Sequence, residues 1–494
     1  MSLGDSRLPR GLPCTSKRET VMLTRRSIIK RVGTTMALAA YGGVSESWSS
    51  TMKHSTHTAT VSGNPLATKD QLALEDLAMR LYRSQPVQEA KERSRQIMQA
   101  DPRAKTASGK ATLDLDLNEL SFNACANTAA ATPDDPKVYW GINLPHRWFG
   151  REIQGSRCGI DNPDNTYRMM AIDDQSSYVV TGHVPRTPPV DVSFTVFPVW
   201  PGIITNATGA FPAALGGIRL KDLEVDSSGA FTISLDPSPA NGRRNHVQIK
   251  PGANVLFVRD SMSDWSNETP LYLSIKRVSG PPAKPRRDED ALMRLAAENV
   301  ERSARFWLNL PAHYYYLTKA NQLAVTQNPA FATKGGQFTA NGNFKLEPDD
   351  AYVLTLDPLG VDYVSVQVAD LYGASLDYAH HTASLSASQM ARNADGTITY
   401  VLSLTDPGVY NWLDPVGLDT GLFMFRYQGY DPDKVTPKTA IRLEKVVKLS
   451  QLTSVLPKET RWVTAEERRK QLAERLAAYN RRLSEVHPIA LISE

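Results

Sequence analysis

A segment of about thirty residues occurs twice in this chain and limits its fold more than any other feature. The first copy contains GAFTISL from Gly229, NHVQIKPG from Asn245 and VLFVR ending at Arg259. The second contains GTITYVL from Gly396, NWLDPVG from Asn411 and LFMFR ending at Arg426. Runs rich in Val, Ile, Phe and Tyr between Gly and Pro turns predict β-strands. The sequence therefore predicts a duplicated β domain.

The repeat extends beyond this thirty-residue segment, which is called the cassette below. Further short β-like runs precede each copy, and VDVSFTV from Val190 resembles VDYVSVQV from Val361. Short strands at regular spacing, separated by Gly, Pro and Asp, are typical of antiparallel sandwiches and jelly rolls. We predict a mainly β chain with flanking α-helices, in which two tandem antiparallel β-sandwich or jelly-roll-like domains arise from an internal duplication.

Composition changes along the chain predict seven segments. They are a twin-arginine signal peptide (1–45), a disordered tether (46–66), a helical and mixed N-terminal region (67–160), the first β domain (161–280), a linker and helix (281–340), the second β domain (341–447) and a C-terminal tail with an amphipathic helix (448–494). Thr68 with Gln71, and Thr464 with Glu467, have the spacing of capping boxes. The tail helix carries one apolar stripe, made of Leu472, Leu476, Tyr479 and Leu483.

The N-terminus carries an export pattern. Arg25 and Arg26 lie in the run TRRSIIK, which matches a twin-arginine signal, although a basic disordered N-terminus is the alternative. The apolar run after it, residues 32–44, is far shorter than the roughly 20 residues of a membrane span. We expect the twin-arginine translocase as a partner, a periplasmic or secreted protein, and no stable membrane span.

The charge distribution argues against nucleic acid as a partner. The formal net charge is +4, but residues 1–45 hold eight Lys or Arg against two acidic residues. The remainder is therefore close to neutral. Nucleic-acid binding requires a clustered basic face, which this balance does not provide.

Two cysteines, Cys125 and Cys158, lie beyond the predicted leader. An even pair in an oxidising compartment is compatible with one disulfide. Two free buried thiols are the alternative, and the sequence does not separate the two.

The common catalytic signatures are absent from the sequence. It contains no GxSxG, HExxH, CxxC, phosphate loop or GxGxxG motif. His380 and His381 are adjacent, and neighbouring residues of a strand point to opposite faces, so they do not predict a shared metal. We predict no cofactor and no metal.

The cassette supplies the candidate ligand-binding residues. In each copy an arginine ends a strand shortly after an asparagine, with polar and aromatic residues beside them. An arginine fork beside aromatic faces suits a carboxylate, a sugar or another polar small molecule, whereas a structural clamp on a carboxylate or on loop carbonyls is the alternative. The candidates are Asn245, His246, Arg259, Asp260, Asp264, Trp265, Asn411, Trp412, Arg426 and Tyr427.

The second cassette resembles an uncharacterised bacterial family, the domain of unknown function 1214. Asn411-Trp-Leu-Asp-Pro-Val-Gly417 is the closest match, whereas the first copy has His246 where the family pattern has Trp. The resemblance covers roughly residues 160–280 and 340–435. It implies a β-rich, jelly-roll-like fold and no established activity, so it carries over no catalytic residue.

Three functional hypotheses follow. The leading one is an exported protein that binds a small polar organic ligand, carbohydrate-like or a carboxylate, at or between the two β domains. The second is a cell-envelope hydrolase, lyase or isomerase that uses carboxylates with His183 or His246. The third is a structural or interaction protein of the envelope that makes contacts through its tail helix.

Overall fold

The N-terminal part of the structure is anchored to its C-terminal part. A computed structural model of the chain describes residues 63–200, 203, 209–327 and 336–485, so the predicted leader with Arg25 and Arg26 lies outside the described residues. Of the predicted tether, 46–66, residues 63–66 are described, and there Asn64 and Leu66 are buried. The Asn64 amide donates to the carbonyls of Arg482 (2.9 Å) and Ser484 (2.8 Å). The end of the predicted tether is therefore part of the packed fold.

A helical layer follows. Its members are α1 (Lys69–Arg83), α2 (Gln85–Ala100), α3 (Ala107–Ala130) and α4 (Glu289–Tyr314). Thr68 caps α1, accepting from the amide of Gln71 at 3.0 Å. The Gln71 side chain instead binds the Trp140 backbone at 2.9 and 2.7 Å, so half of the predicted capping box is formed. Asp288 caps α4 in the same way, accepting from the amide of Ala291 at 2.7 Å. Pro86 lies in the first turn of α2, where its missing N–H would have no helical partner. Ser84 separates α1 from α2 in an extended conformation.

The C-terminal half of helix α3 lies within the packed interior. All residues from Glu119 to Ala130 are buried, so this half has no exposed polar face, whereas Lys110 and Asp114 of the first half are exposed. Hydrophobic periodicity identifies amphipathic helices, which have one solvent-exposed face. It gives no signal for a helix segment that is buried on all sides. For this reason the sequence predicted only a helical and mixed region, 67–160, and did not identify this helix.

The first β lobe contains two sheets in the described part of the chain. Its strands, with a separate hairpin of β2 and β3, are β1 (Tyr139–Gly141), β2 (His146–Trp148), β3 (Arg151–Ile153), β4 (Asn165–Ala171), β5 (Ser177–His183), β6 (Asp191–Phe197), β7 (Gly216–Arg219), β8 (Ala230–Asp236), β9 (His246–Gln248), β10 (Val255–Ser261) and β11 (Tyr272–Ser279). A five-stranded sheet has the order β1-β4-β10-β6-β7, and a four-stranded sheet has the order β11-β5-β8-β9. All pairings are antiparallel except β8 with β9.

The second β lobe shows the same order of strands. Its elements are β12 (Ala324–Thr326), β13 (Gly336–Lys345), β14 (Asp350–Leu356), β15 (Tyr363–Ala369), β16 (Ser384–Ser386), β17 (Ile398–Ser403), β18 (Trp412–Leu413), β19 (Thr420–Tyr430) and β20 (Ile441–Lys448). Among the described residues, the sheets run β12-β13-β19-β15-β16 and β18-β17-β14-β20. Here too one pair, β17 with β18, is parallel. The prediction of a mainly β chain with flanking helices is confirmed.

Each lobe has its own apolar core between its two sheets. In the first lobe Phe194, Leu256 and Val258 point inward, and in the second Val366 and Phe425 do so. Full burial of one such side chain stabilises a fold by roughly 1.5–3 kcal/mol. The alternate residues of the same strands point outward, which gives each five-stranded sheet a second packed face.

The outer faces of the five-stranded sheets position the candidate site. The first packs Met169 and Phe257 against the helical layer. The second packs Leu422 and Met424 against the C-terminal end of α4. The two faces also meet directly, where Ser261 Oγ donates to Gln428 Oε1 at 3.1 Å.

The tail comprises α5 (Leu452–Val455) and α6 (Ala465–Asn480). Thr464 and Glu467 form the predicted capping box on α6. Its buried residues are Arg468, Arg475, Ala478 and Tyr479, whereas Leu472 and Leu476 of the predicted stripe are only half-buried.

Arginines dock α6 on both lobes. Arg468 binds Asp406 of the second lobe at 2.9 Å, and the Arg475 guanidinium lies 4.4 Å from the centre of the Trp265 ring in the first. Arginine stems bury apolar surface while their guanidinium groups stack on aromatic rings or donate hydrogen bonds to carbonyl and carboxylate oxygens. This is why the apolar stripe alone did not identify the docking face.

In the residues that the structure describes, no helix combines the length and apolar character that crossing a membrane requires.

Candidate functional site

The two cassette asparagines are loop clamps. Asn245 accepts from the amide of Glu224 and donates to its carbonyl, both at 2.8 Å. Asn411 binds Ala391 in the same two-point manner, at 2.8 and 2.7 Å. Such an amide replaces a missing backbone partner, so both residues hold a loop against the four-stranded sheet of their lobe.

The residues that follow the asparagines are also engaged in the fold. His246 Nδ1 lies 2.9 Å from Ser234 Oγ, and its Nε2 lies 3.0 Å from the carbonyl oxygen of Ser238. The Trp412 indole donates to the carbonyl of Ser403 at 3.0 Å. Neither side chain is free to contact a ligand.

The acidic and aromatic residues beyond the strands have structural partners as well. Buried Asp260 accepts from Thr166 at 2.8 Å and forms an ion pair with buried Arg168. Asp264 accepts from the amide of Ser266 at 2.9 Å within a turn. Trp265 donates to Asp164 at 2.8 Å and is covered by α6.

Tyr427 points into the core of the second lobe. Its ring stacks on Phe338, with centroids 4.4 Å apart and planes 8° from parallel. Of the ten candidates, the structure therefore leaves Arg259 and Arg426, whose side chains point out of the sandwiches.

Arg259 and Arg426, here called the arginine pair, occupy matching positions in the central strands of the two five-stranded sheets. Arg259 of β10 lies between Tyr167 of β4 and Ser193 of β6. Arg426 of β19 lies between Thr339 of β13 and Ser365 of β15. Because the outer faces of the two sheets meet next to them, the two arginines lie on facing surfaces.

Both arginines are partly exposed between buried neighbours. Arg259 is the one partly exposed residue of β10, and Arg426 interrupts the buried stretch 421–428 of β19. Ser193 and Thr339, directly across from the arginines, are also partly exposed. Two arginines and two hydroxyl-bearing residues are therefore partly exposed at matching places on the two sheets, and the Thr339 hydroxyl is paired with that of Thr326 at 2.8 Å.

Arg259 holds its charge in an apolar setting. Its guanidinium lies 4.5 Å from the ring centre of Phe257 and 5.8 Å from that of Phe197. The pKa of Arg259 is lowered to about 10, chiefly by burial and in part by the charge of Arg426, while Tyr167 and Asp191 act in the opposite direction. The charge of Arg426 therefore acts on Arg259.

The immediate partners of the two arginines differ. Arg426 Nη2 donates to the carbonyl of Ile160, and its Nε lies 3.4 Å from Gln367 Oε1. For Arg259, no hydrogen-bond acceptor is found among the residues the structure describes, and the nearby Asp191 is bound by Arg219 at 2.6 Å. Arg426 is thus fixed by the fold, and Arg259 retains its donors.

The disulfide alternative for Cys125 and Cys158 is not formed. Both are free thiols, and they lie buried in different apolar clusters, one with the helical layer and one at the end of α4. Burial raises the pKa of both thiols, which keeps them protonated.

A second polar cluster lies inside the protein and was missed at the sequence level. Glu119 of α3 forms a buried ion pair with Arg157. Asp116, one turn earlier, has a pKa well above its usual range because it is buried and faces the Asp370 carboxyl group. Asp116, Arg157, Cys158 and Trp307 are among the residues that line a cavity about the size of one water molecule.

The histidines serve local contacts. His380 binds Asp377 at 2.9 Å and His381 binds Asp414 at 2.8 Å, so the adjacent pair turns to different partners. His183 Nε2 lies 2.7 Å from the carbonyl oxygen of Ser228. In the described ranges, no group of three or more His, Cys, Asp or Glu side chains is placed to hold a metal ion.

The architecture has a counterpart among solved structures. An uncharacterised protein from Burkholderia cenocepacia is 26% identical, with a TM-score of 0.61 over 76% of this chain and 100% of that chain. A protein from Vibrio parahaemolyticus is 11% identical, with a TM-score of 0.36 over 68% of this chain and 97% of its own, which is too low to support a shared fold. No family model and no curated protein matches the chain.

Proposed function

We propose that this protein binds a small organic anion, a carboxylate, at the arginine pair between its two β lobes. The observation that carries the proposal is Arg259, a partly exposed guanidinium beside a second arginine, with no acceptor among the described residues. Covering most of a charged group without giving it a hydrogen-bond acceptor costs free energy. A carboxylate would satisfy the fork with two parallel hydrogen bonds.

A carboxylate is favoured over a sugar. Sugar sites usually offer free aromatic faces, but the aromatic candidates Trp265, Trp412 and Tyr427 are all engaged in the fold. The ring of Phe257 is covered by Arg259 itself.

Binding is also favoured over catalysis. The histidines named in the enzyme hypothesis, His183 and His246, are engaged by loop carbonyls. An enzyme needs a proton-transfer group within reach of the reacting atoms, and neither histidine supplies it at the arginine pair. Turnover of a bound ligand, followed by mass spectrometry, would reverse this preference.

Calorimetric titration tests the proposal. The protein lacking its leader is titrated with a panel of small carboxylates, alongside Arg259→Gln and the matched surface control Arg244→Gln, whose side chain is 78% exposed. We expect heat of binding for a subset of carboxylates, a loss of at least about tenfold in affinity for Arg259→Gln, and no change for the control. Silent titrations with folded protein would contradict the proposal.

We also propose that the two lobes arose by tandem duplication of one jelly-roll-like domain, related to the domain of unknown function 1214. The shared strand order, and the parallel pair at the same place in each lobe among the described strands, support this. A crystal structure in which the lobes superimpose strand for strand, with Arg259 on Arg426, is the expected result. A different pairing of equivalent strands would contradict it.

We further propose export to the periplasm or beyond by the twin-arginine route. The support is the motif around Arg25 and Arg26. Fusion of residues 1–50 to a reporter that is active only outside the cytoplasm tests it, with the conservative Arg25→Lys/Arg26→Lys variant as control. Equal export of both fusions would rule out the route.

A further inference from the structure

We infer that the ligand of the arginine pair carries two negative charges. This inference rests on the proposed binding function and narrows its ligand class. Arg259 and Arg426 lie at matching positions on facing surfaces, which touch two residues further along each strand at the Ser261–Gln428 hydrogen bond. Burial is the main cause of the lowered pKa of Arg259, and the charge of Arg426 contributes to it.

The carboxylates of the neighbourhood do not neutralise these charges. Asp191, whose charge acts on Arg259, is bound to Arg219 through hydrogen bonds of 2.6 and 3.1 Å. Asp161, next to the Ile160 carbonyl that binds Arg426, is turned to the hydroxyl (2.7 Å) and amide (3.1 Å) of Ser375. In the described part of the site, two positive charges therefore remain without a matching anion.

A ligand with one negative charge would compensate only one of the two guanidinium charges. A monocarboxylate bound by Arg259 neutralises one guanidinium and leaves that of Arg426 beside it, in surroundings where charges interact more strongly than in water. A dianion matches both. The electrostatic gain of the second charge is therefore specific to this pair and would be absent at a single exposed arginine.

Each lobe would supply one arginine to such a ligand. Arg426 is fixed by the Ile160 carbonyl and Gln367, so it presents its remaining donors in a set direction. Arg259 stacks on Phe257 without a hydrogen-bond partner in the described residues, so its whole fork is available. The hydroxyl of Ser193, across from Arg259, adds a donor on the first surface, whereas the Thr339 hydroxyl, across from Arg426, is paired with that of Thr326 at 2.8 Å.

Two chemical sources supply a dianion of this size. One is an organic dicarboxylate, whose two groups would contact one arginine each. The other is a phosphate group, whose oxygens would be shared by both. The shared chemistry is two negative charges held between two lobes.

The test compares anions that differ by one charge. Succinate is compared with its half-amide succinamate, which has nearly the same shape and one charge fewer, and inorganic phosphate tests the second source. Each is titrated into wild type, Arg259→Gln, Arg426→Gln and the Arg244→Gln control, at fixed ionic strength.

We expect succinate or phosphate to bind at least about tenfold more tightly than succinamate to wild type. Either arginine substitution should abolish this preference, because each leaves a single cation. Tighter succinate identifies a dicarboxylate site, and tighter phosphate a phosphate site. Equal binding of succinate and succinamate overturns the dianion inference while leaving anion binding in place. Absence of binding by all three probes, together with a silent carboxylate panel, overturns both.

Discussion

Ser261 Oγ donates a hydrogen bond to Gln428 Oε1 at 3.1 Å, and each of these residues stands two positions after its arginine on the central strand of its five-stranded sheet. A contact between matching positions is what a two-fold relation between two similar surfaces produces. The lobes therefore meet face to face around the arginine pair.

Replacing Gln428 tests this contact. Gln428 is buried, and its amide also donates to Gln337 Oε1 at 3.2 Å. Because Gln428→Ala leaves two polar partners unpaired, we expect the free energy of unfolding to fall by about 1–3 kcal/mol, measured by urea denaturation. Exposed Gln85→Ala is the control and should change stability by less than about 0.5 kcal/mol. Equal effects would show that the contact contributes nothing.

Asp260 is expected to matter for stability through Arg168. Arg168→Met leaves a buried carboxylate without its cation, at a cost of about 3–5 kcal/mol, whereas Arg168→Met/Asp260→Leu removes both charges and should recover most of the loss. Thermal denaturation of the single and double variants measures this. A double variant as unstable as the sum of both single variants would contradict the pairing.

Glu268 should make stability depend on pH. Burial raises its pKa to about 7, helped by the charges of Asp264 and Asp164, against a usual value of 4.5. The folded state then holds a proton that the unfolded state has released, so stability falls as pH rises from about 4.5 to 7 and levels off above.

Glu268→Gln removes this titration. In urea denaturation at pH 4.5, 6 and 8, the variant should gain stability relative to wild type as pH rises, with a modest size because the side chain is not fully buried. A difference that stays constant with pH would show that the Glu268 carboxyl group titrates normally in the fold.

Both thiols should resist chemical labelling. Cys125 and Cys158 are buried, and burial raises the pKa of each. In a Cys14→Ser protein, a thiol-specific reagent should label neither residue in the folded state and both in urea, without prior reduction. Mass spectrometry counts the labels. Labelling in urea only after reduction would indicate a disulfide.

The sequence predicted the features that depend on local periodicity and turns. The helix starting after Thr68, the capping box at Thr464 and the mainly β architecture are examples. The arginine pair was found because both copies of the cassette keep an arginine. That one arginine is fixed and the other is not depends on Ile160, a residue far away in sequence, and no local pattern reveals such a contact.

Other features depended on packing between distant segments. Glu119 and Arg157 pair across 38 residues inside the fold, and the sequence marks neither as buried. Asp260 and Trp265 looked like site residues because charged and aromatic side chains are common in both ligand sites and cores. Only their partners, Arg168 and α6, distinguish the two roles.

The bond between the Asn64 amide and the carbonyls of Arg482 and Ser484 sets an order of events during synthesis. The start of the described chain cannot reach its final place until the ribosome has released the segment after α6, some 420 positions later. Completion of the fold therefore follows synthesis of nearly the whole described chain. Transport of a finished, folded chain, as the twin-arginine proposal requires, would fit this timing, whereas threading of the nascent chain would separate the two ends before they could meet.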